Sequence, residues 1–296
     1  MPVSVQQQSV LFNNEFDSIS RSLDSIDRAA QLGREFGITE TSVAYGDSSP
    51  HPCLSEEQLA ALREKFQNIT ISYDFFGANL GSAAGHNRLA VAGTSDFILV
   101  QNPDIVPSPR LLENLIAPFA NKSIGFVEAK QLPIEHPKDY DEATGDTSWA
   151  STASAMVHRD TFERLSGFDA DTFFLYCDDV DFSWRVREFG LRVIFQPSAV
   201  VFHDKRLSSE GAWQTTSTER YYSAEAALLL THKWSRSDLT EHIVKDFLLT
   251  GDEFQKKAVT EFEHRKSANT LPAQRDPNHK IAQFINGNYA KHRYFL

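Results

Sequence analysis

Apolar positions along the first two-thirds of the chain alternate between two periods. Residues 3–10 read as a strand. Phe16, Ile19, Leu23, Ile26 and Ala30 follow at three- and four-residue spacing, which predicts a helix over residues 14–32 with one apolar face. Residues 38–44 read as a second strand, and Gly46 to Pro50 as a loop of turn formers. Ser55 and Gln58 form a capping-box pair that opens a helix with Leu59, Leu62 and Phe66 inward. Residues 69–73 predict a strand and residues 82–92 a glycine-punctuated helix. Phe97 to Val100 is unbroken apolar sequence of strand length, as in a strand covered on both faces of a parallel sheet. A helix over 109–119 and a strand over 124–127 continue the rhythm. This alternation predicts an α/β fold with a doubly wound, mostly parallel sheet and its ligands outside the carboxyl ends of the strands.

Residues 133–147 are polar and irregular. Beyond His203 the strand signals stop: 218–234, 238–249 and 253–266 read as helices, and a charged stretch over 267–280 leads into a last short helix. The reading is therefore two units, 1–204 and a helical C-terminal extension over 205–296, the latter enlarging the site or forming a homodimer interface. With 296 residues, 41% of them hydrophobic, the chain can bury a sizeable core. A net charge of -11 argues against nucleic acid as partner and against anionic membrane surfaces, local patches aside. Two cysteines fit a reducing, cytoplasmic setting better than a disulfide framework. The start of the chain lacks a leader pattern, and the strongest apolar stretch, 224–230, is too short to span a bilayer, which leaves only peripheral contact at the inner membrane face.

Four clusters carry candidate chemistry. Asn102-Pro103-Asp104 closes the buried strand, where a fixed carboxylate suits a hard divalent cation on a diphosphate; a turn-forming Asn-Pro and a helix-capping Asp are the plainer account. In the run from Phe173 to Arg185, an aromatic strand is expected to lead into Asp178, Asp179 and Asp181 at a helix start. The helix dipole accounts for acids in a first turn, but not for two side by side, which raise one another's pKa unless a cation is near. A strand ends at His203, which is as readily structural as ligating. Asn79-Leu80-Gly81, followed by small residues to Asn87, opens a helix whose backbone can approach phosphate.

In this order the four clusters resemble the inverting glycosyltransferases of family 2, which have the GT-A fold, and most of all the rhamnosyl- and galactofuranosyl-transferases of bacterial surface polysaccharides. The resemblance runs from about Val3 to Asp204 and includes Gly167-Phe168-Asp169 ahead of the aromatic and acidic run. It implies sugar transfer with inversion from a nucleotide-diphosphate sugar (dTDP- or UDP-linked) to a saccharide or lipid-linked saccharide. By that likeness Asp179 is the base and Asp178 supports it or orients the acceptor. Asp104 and His203 hold Mg or Mn, and Asn102 the ribose or metal. Asp47 or Ser48 reaches the nucleoside, Asn79, Gly81 and Asn87 line the donor side, and Trp149 is either an acceptor platform or a core aromatic.

The chain departs from the family pattern at four places, one of them Thr152, where the acceptor-side strand usually has a glycine. Gln6-Gln7-Gln8 interrupts the first strand, the acid of the second strand is displaced to Asp47, and the metal motif keeps one acid. A nucleotidyltransferase would need a basic, glycine-rich loop after the first strand, where Gln6-Gln7-Gln8-Ser9 stands. The altered first strand motivates a rival reading, a non-catalytic binding or scaffold subunit; Asp178, Asp179 and His203 argue against it.

Overall fold

The computed structural model describes residues 2–135, 138–203 and 216–290. β1 (Val3–Leu11), β2 (Ile38–Asp47), β3 (Thr70–Phe75) and β4 (Phe97–Gln101) pair in parallel in the order β3-β2-β1-β4. They are joined by α1 (Phe16–Gly33), α2 (Glu56–Lys65) and α3 (Gly81–Val91). The Ser55–Gln58 capping box opens α2 as the spacing predicts. The chain reverses its direction of travel across the sheet between β1 and β4. A crevice at the carboxyl ends of those two strands follows from that reversal.

β1 accommodates its glutamines by giving each a polar partner. Gln6 donates to Leu89 O at 3.0 Å, and Gln7 donates to Ser9 Oγ at 2.7 Å, which in turn donates to Gln101 O at 2.7 Å. The Arg159 guanidinium donates to Gln6 Oε1 at 2.5 Å and to Ala90 O at 2.7 Å, at the same end of α3. Amides buried in this way cost little because their hydrogen bonds are made inside the protein.

The second half of the sheet is mixed, where the sequence pattern suggested parallel continuation. β5 (Ile105–Pro107), β6 (Ile124–Leu132), β7 (Ser154–His158) and β8 (Arg192–His203) complete eight strands in the order β3-β2-β1-β4-β7-β6-β8-β5. β7 runs antiparallel to both β4 and β6, and β5 antiparallel to β8. Both strands escaped the sequence reading because β5 has three residues and β7 is short and rich in small residues. Pro197 is tolerated inside β8 because the register against β6 jumps there from Gln196 to Val200.

α4 (Leu111–Ile116) covers one face of the sheet, and α5 (Arg159–Arg164) follows β7. α6 (Asp178–Glu188) packs on the other face, with Phe182 edge-on to Phe126 of β6 at 5.2 Å. α7 (Ser217–Lys233), α8 (Ser237–Leu249) and α9 (Glu253–Ser267) match the expected C-terminal helices. Among the described residues no last helix follows: residues 281–290 make turns and an Ile285–Asn288 bridge.

The C-terminal helices share a core with the α/β half. Trp184 of α6 meets Trp234 edge-on at 5.3 Å, in one cluster with Phe173, Leu229 and Phe262. Lys233 bridges Asp169 and Asp181 at 2.6 Å each, and the Trp234 indole donates to Asp181 at 3.1 Å. Among the described residues no helix is long and apolar enough to cross a membrane.

Candidate active site

The acidic pair is aimed by a turn rather than by the strand that the aromatic run suggested. Residues 174–177 form bends, and Tyr176 and Cys177 both take left-handed conformations, with φ of 65° and 57°. Two adjacent non-glycine residues there cost of order 1–3 kcal/mol each, a cost met by the surrounding packing. The turn is pinned from α3: Ser82 N donates to Phe174 O at 3.0 Å, and a Cβ on Gly81 would lie 2.3 Å from that oxygen. This close approach, with φ of +71°, explains Gly81; the hydroxyl of Ser82 bonds Asp178.

Asp178 is 4% exposed, and its Oδ2 has no hydrogen-bond partner among the described residues. Burial and then the charge of Asp179 push its carboxyl well above the usual range. Burial raises Asp179 as well, against the pull of the Val180 and Thr152 peptide groups and of Lys138. Val180 N donates to Asp179 Oδ1 at 2.8 Å and Thr152 N to Oδ2 at 3.3 Å. The neighbouring Ala153 accepts from Asn102 N at 3.0 Å. One peptide segment thus ties the acidic pair to the Asn102-Pro103-Asp104 corner. Asp181, the third acid, is fully buried and bound to Arg185, Lys233 and Trp234, so it holds helices together.

His203 ends β8 opposite Ile105, which brings its ring to Asp104. Nε2 lies 3.4 Å from Asp104 Oδ2, and Nδ1 lies 2.9 Å from Gln131 Oε1. A carboxylate oxygen and an imidazole nitrogen converging in this way, with the second ring nitrogen held from behind, fit a divalent cation. No third His, Cys, Asp or Glu joins them among the described residues. The remaining positions would fall to diphosphate oxygens and water. Asp204, which closes this motif, lies outside the described residues.

Five expected site residues make structural contacts. Asp47 has no exposed surface and accepts from Ser49 N at 2.9 Å, Cys53 N at 2.7 Å and the Tyr73 hydroxyl. Burial pushes its carboxyl up, but these donors outweigh it and hold the group below the usual range. Its carboxylate fixes the loop after β2 instead of projecting into the crevice. Asn87 clamps Phe168, donating to its O and accepting from its N at 2.8 Å each. Trp149 is 4% exposed, with Tyr289 edge-on at 5.5 Å and the Lys138 ammonium 3.9 Å from its ring centre, which leaves no open face for a sugar. Ser48, buried, accepts from Leu80 N at 3.3 Å, and Asn79 accepts from Gly81 N at 3.1 Å, so both shape the start of α3.

One pair was missed by sequence reasoning. Glu128 of β6 is fully buried and ion-paired to Lys138, whose side chain is also buried and donates to Trp149 O at 3.2 Å. Burial pushes the Glu128 carboxyl up to about 7 despite that partner. Glu128 lies two residues beyond Phe126 on the same face of β6. The available signal was a lone acid in an otherwise apolar strand, Ile124 to Ala129.

No family model matches the chain. A pre-mycofactocin glycosyltransferase of Mycobacterium tuberculosis is 26% identical over 145 residues, 43% of this chain and 30% of that protein. An N-acetylglucosaminyl-diphospho-decaprenol L-rhamnosyltransferase of the same organism is 27% identical over 124 residues, 38% of this chain and 37% of that protein. The chain therefore spans about a third of the length of these two relatives. Rhamnosyltransferase WbbL of Escherichia coli is 24% identical over 199 residues, 52% of this chain and 75% of that protein. Among solved structures, GalNAc-T7 with UDP, GalNAc and Mn2+ superposes with a TM-score of 0.63 at 12% identity, over 92% of this chain and 56% of that one. Mannosyltransferase PcManGT of Pyrobaculum calidifontis, with GDP-Man and Mn2+, gives 0.56 at 16% identity, over 90% and 76%. By sequence likeness to the first three and by the architecture it shares with the last two, the chain is a relative of the glycosyltransferases with the GT-A fold.

Proposed function

We propose that the chain transfers a sugar from a nucleotide-diphosphate sugar, dTDP- or UDP-linked, to a saccharide or lipid-linked saccharide in bacterial cell-surface polysaccharide synthesis. The observation that carries this reading is the 152–153 segment, which bonds Asp179 with one residue and Asn102 with the next. A proton acceptor and a diphosphate-binding corner are thereby fixed side by side.

Asp179 takes the proton of an acceptor hydroxyl, and the oxygen attacks the anomeric carbon from the face opposite the diphosphate. The bond from that carbon to the diphosphate oxygen breaks, the configuration inverts, and the nucleoside diphosphate leaves. Asp178, protonated by its burial, orients an acceptor hydroxyl beside the base. Asp104 and His203 Nε2 would hold a divalent cation, Mg or Mn, which neutralises charge on the departing diphosphate. Asn102 fixes the corner from which Asp104 reaches out. Gly81 lets the start of α3 approach the turn that carries the acids, and Ser48 and Asn79 shape the donor side.

A thermal-shift panel of UDP, dTDP and GDP with and without Mn2+ tests the binding half, since a ligand specific for the native state raises Tm. Asp179→Asn tests the chemistry. It is expected to lower kcat by about 10²–10⁴-fold and leave nucleotide affinity within a few-fold. Unchanged turnover would remove Asp179 from the base role, and no shift with any nucleotide would favour a non-catalytic binding subunit.

A further inference from the structure

A histidine can hold a cation only through a ring nitrogen that carries no proton, so the hydrogen bond at the other nitrogen decides whether the residue is ready to bind. His203 has one such partner. Gln131 of β6 is fully buried, and its Oε1 lies 2.9 Å from His203 Nδ1. The two residues come from strands that run side by side, with Gln131 opposite Val201 and His203 two residues further along β8. The main chain of Gln131 is fixed as well, its N donating to the Glu135 carboxylate at 3.2 Å. Gln131 Nε2 is buried and finds no acceptor among the described residues, where the carboxamide's one side-chain bond is the one to the imidazole.

The direction of that bond has a consequence on the far side of the ring. When Oε1 accepts, the proton sits on Nδ1, and the lone pair of Nε2 points at Asp104 Oδ2, 3.4 Å away. Two electron-rich atoms then face each other, an arrangement that a cation between them relieves. In the opposite tautomer the Nε2 proton would bridge to Asp104 and fill the position itself.

We propose that Gln131 is a positioning residue that sets the Nδ1–H tautomer of His203 and so keeps Nε2 open for a divalent cation shared with Asp104. This rests on the metal-assisted transferase reading. Gln131 touches neither donor nor acceptor. Its contribution is to spare the cation the work of turning or deprotonating the ring. Partners of this kind change metal affinity by about 10–100-fold.

The test compares the wild-type protein with Gln131→Leu and Gln131→Glu. Two readouts need no turnover: 15N NMR of the His203 imidazole, and Mn2+ binding by electron paramagnetic resonance, with Mn2+ alone and with UDP. The wild type is expected to show the proton on Nδ1. Gln131→Leu should lose that signature and bind Mn2+ about 10-fold or more weakly, with the protein still folded by circular dichroism. Gln131→Glu, which restores an acceptor, should recover both. Wild-type affinity in Gln131→Leu, or a wild-type ring protonated on Nε2, would overturn the proposal and leave the transferase reading standing. A wild-type protein that takes up no Mn2+ in either condition would instead overturn the metal-assisted reading, and this inference with it.

Discussion

Asp178 shows how a single side chain can be tuned at a cost. Its folded-state pKa is raised, so the folded protein holds a proton that the unfolded chain releases. Stability is therefore lost as pH rises from the ordinary aspartate range to about 7, the value to which burial and Asp179 carry the group, and is level above it. Asp178→Asn, which mimics the protonated form, is expected to change Tm little at pH 4.5 and to raise it by several degrees at pH 8. Differential scanning fluorimetry across that range checks the sign, and a stabilisation independent of pH would count against the proton on Asp178. The adjacent acids were legible in the sequence because their pairing had no capping explanation. The roles of Asp47, Asn87 and Trp149 were not. Nothing in a run of residue types says that Cys53, Phe168 or Lys138 will meet them first.

At the scale of elements, the segment between β6 and β7 is anchored by one buried ion pair. Removing one partner of such a pair strands the other charge, a loss of about 3–5 kcal/mol. Lys138→Met is expected to approach that figure at pH 8. It should cost less at pH 5.5, where the Glu128 carboxyl, raised to about 7, takes up a proton. The double change Lys138→Met with Glu128→Gln should recover most of the loss, as chemical denaturation at the two pH values will show. The parallel half of the sheet was legible because long amphipathic runs separate its strands. In the mixed half β6 and the end of β8 were legible as strands, but β5 and β7 were not. β5 and β7 are too short to show a period, and their direction is set by pairing with β8, β4 and β6.

For the whole molecule, the helical extension was legible as helices and as a candidate enlargement of the site, but not as the cover of α6 in particular. α6 presents its acids at one end and Trp184 along its side, and that side is covered by residues more than 40 positions away in sequence, Trp234 and Phe262 among them. Lys233 joins the two halves through Asp169 and Asp181. Lys233→Met should therefore lower stability by about 3–5 kcal/mol and reduce turnover more than nucleotide binding, because the helix that carries Asp179 loses its brace. Calorimetry beside steady-state kinetics separates the two effects; normal turnover at a lowered Tm would confine Lys233 to stability.

The same cross-bracing orders events during synthesis. Gln6 must wait for Arg159 to satisfy it, and α6 cannot bury Trp184 until residues past 262 have left the ribosome. Contacts this distant form slowly, and an unfinished chain exposes the surfaces they will cover. Nascent chains paused between β8 and α9 should therefore be the ones that chaperones hold, with the carboxylates already made but their scaffold still open.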